Sequence, residues 1–368
     1  MPVYNTAAYE FDTAADMTDA FTSKVLAPDY SRVMNPTVTY FEDKVKALTG
    51  ATNVFAFNSG MAAISNMFLA LAENGKNIVT SNHLFGNSFS LITKTLRRFG
   101  VEAHITDLTD IDAVRKAIDK DTCCLYLEII TNPQMEVANL RQLATVAHEA
   151  GIPLVADTTM IPFTRFSAKE LGVDVEVVSS TKYISGGATS LGGLVIDYGT
   201  FAKVNETIRF ELLFNVGAYM TPQVAYMQSL GLETLDARYR LQSENTLRLA
   251  ELLRTIDGIQ VNYLAFDDNR FHSLAKEQFC DTYGAMITID LESEQKCYDF
   301  INSLKLVRRA TNLFDNKTLA IHPYSTIFGN FSPDEKKAMD VLPTTIRLSV
   351  GLESVDDIFN DLRQALGK

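Results

Sequence analysis

The sequence predicts an α/β protein with a mostly parallel central sheet flanked by helices and a smaller α+β domain at its C-terminal end. Three observations carry this. Short apolar runs alternate with amphipathic stretches of helical length between residues 45 and 200. Turn-forming Gly, Asn and Pro separate them. Beyond about residue 240 the alternation gives way to a long helical stretch and then widely spaced strand and helix patterns. The expected division is an arm at 1–44 making inter-subunit contacts, a large domain at 45–240 and a small domain at 241–368.

The elements follow in order. Residues 1–38 read as irregular and polar–aromatic. Asn35-Pro36 is a turn signal, and "TYFEDKVKALTG" after it has the form of a capped helix ending at Gly50. "NVFAFN" predicts a strand followed by the helix "GMAAISNMFLALAENG". "NIVTS" precedes a helix starting at Gly86, and "VEAHI" precedes "TDIDAVRKAI". "CCLYLEII" pairs with the helix "NLRQLATVAHEAG", and "PLVADT", "VDVEVVSS" and "LGGLVID" complete the sheet. The small domain reads as the helix "RLQSENTLRLAELLRT", the strand "GAMITIDL", the helix "SEQKCYDFINSL", the strand "TIRLSVG" and the helix "SVDDIFNDLRQAL".

Composition narrows the function classes. A chain of 368 residues is long enough for two domains. Its net charge of −12 argues against nucleic acid or an anionic membrane as the main partner. The start "MPVYNTAAYEF" carries no basic or apolar leader pattern, and no apolar run reaches the ~18 residues of a spanning helix. Cys123, Cys124, Cys280 and Cys297 have neither metal nor disulfide spacing, so a reduced, cytoplasmic location is expected, with Cys123 and Cys124 as core residues. Five scattered histidines give no metal-ligand pattern.

Ligands of an open parallel sheet sit beyond the carboxyl ends of its strands. After "NVFAFN" come Ser59, Gly60 and Met61, opening a helix whose free N–H groups suit a phosphate. "NHLFG" puts an aromatic ring, Phe85, at the next strand end. "LEII" leads to Thr131, Asn132 and Pro133; Asn132 reads equally as a turn former or as a ligand contact. "PLVA" ends in Asp157, an acid that costs energy there unless it meets a cation or strong donor. "VDVEVVSS" leads to Thr181 and Lys182. A solvated loop lysine is the ordinary reading of "SSTKYISG" taken alone.

Together these residues form a phosphate cradle, a flat ring, an acid and an amine on one rim. Pyridoxal phosphate has a phosphate, a planar ring, a ring nitrogen to be kept protonated and an aldehyde for a lysine, and it would use them all. Twenty-five residues separate Asp157 from Lys182, which suits two groups lining one pocket. Competing motifs fail. Ser179 and Lys182 satisfy S-x-x-K without its companion motifs, and "GATSLGG" lacks the ending of a nucleotide phosphate loop. No G-x-G-x-x-G follows a strand, which disfavours a dinucleotide enzyme.

"YSRVMNPT", "SGMAAIS", "LEIITNP", "ADTT", "SSTKYISGG", "GLETL", "IHPYST" and "IRLSVGLES" occur in this order. This set resembles the cysteine/methionine-metabolism family of fold-type I pyridoxal-phosphate enzymes, which includes cystathionine γ-synthase, cystathionine lyases, methionine γ-lyase and O-acetylhomoserine sulfhydrylase. The resemblance implies that Lys182 holds the cofactor as a Schiff base and shuttles protons, and that Asp157 pairs with the ring nitrogen. It implies further that Gly60 and Met61 amides with Ser179 and Thr181 hydroxyls hold the phosphate, while Phe85 stacks on the ring. Tyr30 and Arg32 would reach the phosphate of a neighbouring subunit, so a homodimer at least, with a tetramer expected, is implied. Arg347 would clamp the substrate carboxylate, and Asn132 would support the ring oxygen or the substrate.

The chain departs from the family pattern on the substrate side. Phe85 replaces the usual Tyr, Asn312 stands at the family's serine, Ile327 and Phe328 replace a Thr-His pair, and Gly187 replaces a common His. Expelling a thiolate benefits from a general acid, whereas a carboxylate leaves with less help. The missing phenol therefore points to γ-replacement on an O-acyl-L-homoserine with sulfide or a thiol, as in the O-acetylhomoserine sulfhydrylase branch. The alternatives are a carbon–sulfur lyase of methionine γ-lyase or cystathionine lyase type, and a non-catalytic binding protein on the same fold.

Overall fold

The computed structural model describes residues 1–368 and contains two sheets. The larger uses β1 (Asn53–Phe57), β2 (Asn77–Thr80), β3 (Glu102–Ile105), β4 (Thr122–Glu128), β5 (Leu154–Asp157), β6 (Val175–Val178) and β7 (Gly193–Asp197). Their spatial order is β1-β7-β6-β5-β4-β2-β3. Pairings among β2 to β6 are parallel, and only β7 runs antiparallel to its two neighbours.

The alternating faces of these strands explain their nearly continuous apolar sequences. In β1, Val54 and Ala56 face one core while Phe55 and Phe57 face the other; in β4, Leu125 and Leu127 oppose Cys124 and Tyr126. Both faces are covered, as parallel sheets require. The first core continues under the helices Pro36–Thr49 and Leu140–Glu149 into the small domain, and the second lies under the helix Gly60–Leu71.

Helix boundaries follow their caps. The Asn35 side chain accepts from the Thr37 N–H, Pro36 occupies the first turn, and Gly50 ends the helix at φ 66°. The smaller sheet has the order β10-β11-β12-β9-β8, built from β8 (Gln260–Asn262), β9 (Met286–Asp290), β10 (Arg308–Arg309), β11 (Leu319–Ile321) and β12 (Thr345–Ser349). No helix is long and apolar enough to cross a membrane.

Four expectations need amendment. Residues 14–21 are helical rather than irregular, started by Thr13, whose side chain accepts from the Asp16 N–H. The long helix runs from Leu235 to Arg254, starting five residues before the expected Arg240. Where the strand–helix alternation predicts a helix between β5 and β6, the connection contains only a short 3-10 turn at Lys169–Leu171. Cys124 is buried, whereas Cys123 is only half-buried.

Candidate active site

A cavity of about 650 Å³ opens at the carboxyl ends of β1, β4, β5 and β6 and extends to the small domain. Gly60, Met61, Phe85, Asn132, Asp157, Ser179, Thr181, Lys182 and Arg347 all line it. Nine of the eleven site residues expected from the sequence therefore meet in one place. Tyr30 and Arg32 lie elsewhere on this subunit. Tyr30 is exposed, and Arg32 donates to the Phe214 carbonyl at 2.5 Å beside a second cavity.

At one end of the cavity the helix Gly60–Leu71 begins. Ser59 caps it by accepting from the Ala62 N–H at 3.1 Å, leaving the N–H groups of Gly60 and Met61 without intrahelical partners. A Cβ on Gly60 would lie 2.7 Å from the Ser179 Cβ, so only glycine lets the helix start abut the Lys182 segment. The Thr181 hydroxyl donates to the Gly192 carbonyl at 3.2 Å and accepts from the Gly192 N–H at 3.0 Å. Its proton is turned toward the start of β7, and an anion in the cradle would have to compete for it.

At the centre, Asp157 ends β5 and accepts from the Thr159 N–H at 3.0 Å. Burial raises its pKa; bonds from Thr159 and the charge of Lys182 oppose the shift. Lys182 follows β6, and burial, reinforced by the charge of Arg347, lowers its pKa to about 8. The neutral fraction of the amine near neutrality is therefore raised above that of an ordinary lysine. Its Nζ donates to Asn312 Oδ1 at 2.9 Å.

At the far end stands Arg347 on β12, only 3% exposed. Its Nη1 donates to Asn132 Oδ1 at 3.2 Å and its Nη2 to the Asn312 carbonyl at 3.1 Å, while Nε is buried without a partner. No carboxylate neutralises it, and burial pulls its pKa down to about 9. A buried, unpaired guanidinium is costly unless it receives an anion. Asn132 therefore belongs to the guanidinium end of the site, beyond its turn before Pro133.

Two functional neighbours were not singled out from the sequence. Asn312 was noted only as a departure, yet it contacts both Lys182 and Arg347. Glu128 ends β4 directly beside Asp157 and also lines the cavity. Like Asp157 it is an acid closing an apolar strand, and that signal was available.

Comparison with known proteins decides the identity. The model for "Cys/Met metabolism PLP-dependent enzyme" matches residues 1–367. The chain belongs to that family. It is 34% identical to an O-succinylhomoserine sulfhydrylase of Pseudomonas aeruginosa, over 99% of this chain and 90% of the relative. A Wolinella succinogenes O-acetylhomoserine sulfhydrylase structure is 43% identical, with a TM-score of 0.81, covering 91% of this chain and 99% of that one. A Campylobacter jejuni structure holding N'-pyridoxyl-lysine-5'-monophosphate is 30% identical with a TM-score of 0.96, covering 100% of this chain and 95% of that one.

The family's cofactor, pyridoxal phosphate, fits this donor set. Free helix N–H groups and a hydroxyl stand at one end for a phosphate, Asp157 can receive a ring N–H, and an accessible amine can bond the aldehyde carbon.

Proposed function

We propose that this family member catalyses γ-replacement on an O-acyl-L-homoserine with sulfide or a thiol, giving homocysteine or a thioether. Its second activity class within the family would be carbon–sulfur lyase chemistry. The observation that carries the choice is Phe85. It lines the cavity together with the reactive amine, and it brings no hydroxyl to protonate a leaving thiolate. An acyloxy group departs as a carboxylate and needs no such acid. The names of the Pseudomonas and Wolinella relatives support the same substrate class.

Pyridoxal phosphate supplies an electron sink that labilises bonds at the amino acid's α-carbon. Lys182 would bond it, Asp157 would pair with its ring nitrogen, and Phe85 would stack on the ring. Gly60, Met61, Ser179 and Thr181 would hold its phosphate. Arg347 would take the substrate α-carboxylate through its two η-nitrogens, aligned by Asn132 and Asn312. A substrate held there would bring its Cα toward the Lys182 amine, whose lowered pKa suits proton removal near neutral pH. Loss of the acyloxy group from Cγ as a carboxylate requires a second proton to come off Cβ, which the same amine would take; the sulfide or thiol sulfur would then bond Cγ, and protons would return to Cβ and Cα.

The reading extends to assembly and location. Tyr30 and Arg32, remote from their own subunit's cavity, would complete a neighbour's phosphate site, making the enzyme a dimer at least. The arm 1–44 would make those contacts, with the cofactor domain at 45–240 and the small domain at 241–368. The free cysteines support a reducing cytoplasm.

The test is a side-by-side assay of the purified holoenzyme. Homocysteine from O-acetylhomoserine and sulfide is expected, with little ammonia or keto acid from methionine or cystathionine. Turnover confined to the latter pair would overturn the proposal.

A further inference from the structure

Glu128 is a buried acid with no place in the chemistry above. Its residue is 7% exposed, and it stands in register with Asp157 on the adjacent strand. Burial makes it costly to ionise, and the neighbouring Asp157 carboxylate adds to that cost. Such a pair of acids needs a reason, since an apolar residue would close the strand more cheaply.

The bonds of Glu128 supply that reason. Its Oε1 accepts from the Phe85 N–H at 2.5 Å, and the backbone N–H of Asn132 faces the same carboxyl and favours its ionised form. Phe85 and Asn132 sit on two separate loops, following β2 and β4. One is the aromatic platform; the other aligns Arg347. Phe85 stands at the N-cap of the five-residue helix Gly86–Ser90, and the bond of its own N–H is the one to Glu128. His83 and Glu136 join the same two loops at 3.1 Å, but neither lines the cavity, whereas Glu128 does.

We propose that Glu128 is a positioning residue that grips the Phe85 and Asn132 backbones at once, and so fixes the ring platform relative to the carboxylate clamp. The inference rests on the reading of the cavity as the cofactor site. A carboxyl group suits the task because its two oxygens can serve two N–H donors. Glutamine cannot replace it: its amide nitrogen would face a backbone N–H, leaving one buried donor without an acceptor.

The test uses the holoenzyme of E128Q beside E176Q. Glu176 is a buried strand acid held by Thr158 and Tyr198 and is absent from the cavity lining. For E128Q, the circular dichroism of the bound cofactor should fall, cofactor dissociation should quicken about tenfold, and amides in peptides 83–88 and 130–135 should exchange about tenfold faster. E176Q should lose thermal stability with none of these changes. E128Q with a lowered Tm but unaltered cofactor dichroism, dissociation and exchange would overturn the proposal.

If E128Q does not accumulate, amide exchange in the wild-type holoenzyme decides. Strand-like protection of Phe85 and Asn132 supports the grip, and loop-like exchange at both overturns it. All readouts are made without an amino-acid substrate. The grip can therefore fail while γ-replacement stands, and γ-replacement can fail while the grip stands.

Discussion

The Lys182 ε-amine donates to the Asn312 side-chain oxygen at 2.9 Å, and the backbone oxygen of the same asparagine accepts from Arg347 at 3.1 Å. One residue thus holds the proton-transferring group with its side chain and the carboxylate clamp with its backbone. The segment around it is fastened to the lysine segment. Phe314 stacks on Tyr183 at 4.0 Å between centroids, and Asn316 donates to the Gly186 carbonyl at 2.9 Å.

Asn312→Ala removes the first contact and keeps the second. Its kcat should fall about tenfold while KM for the amino acid stays within about twofold. Asn312→Asp places an anion against Lys182 and favours the ammonium form, so the acid limb of the kcat profile should move to higher pH. Steady-state kinetics across pH check both.

Arg347→Lys loses the planar fork and should raise KM roughly 10- to 100-fold. Arg347→Met should do the same to activity yet raise the Tm of the cofactor-free protein, because it removes a buried, uncompensated charge. Calorimetry beside kinetics reads the opposite signs.

Phe85→Tyr restores a phenol to the cavity. Cleavage of methionine or cystathionine should rise by about tenfold or more relative to O-acetylhomoserine turnover. An unchanged ratio would remove the leaving-group argument.

His83 joins the two domains. Its imidazole lies 3.1 Å from Glu136 and 3.0 Å from Asp340 of the small domain. Burial opposes the charge on the ring, but hydrogen bonds and charge from Glu136 and Asp340 outweigh it, and the pKa is raised from 6.5. The stabilisation is therefore complete below pH 6.5 and lost as pH rises through the higher folded-state value. His83→Asn should lower Tm at pH 6 and have little effect near pH 9, as thermal melts at the two pH values would show.

Much of the site was legible because Asp157, Phe85, Lys182 and the Ser59–Met61 turn each terminate or follow an apolar run, and parallel strands deliver such ends to one rim. Strand direction was not legible. β7 has the same apolar character as the parallel strands of its sheet, and periodicity carries no sign for the chain's direction. Asn312 was hidden for a different reason. It sits in an irregular small-domain loop whose approach to Lys182 is set by the Tyr183–Phe314 stack, a contact between residues 131 positions apart. The helix at Ala14–Phe21 was missed because only Ala20 of its residues is buried, so it leaves little apolar period to read.

Borohydride reduction of the holoenzyme followed by peptide mapping tests the core of the account most directly. A single pyridoxyl group on Lys182 is expected, with the visible absorbance lost in step and no label in Lys182→Ala. A label on another lysine, or a protein that takes up no pyridoxal phosphate, would contradict it.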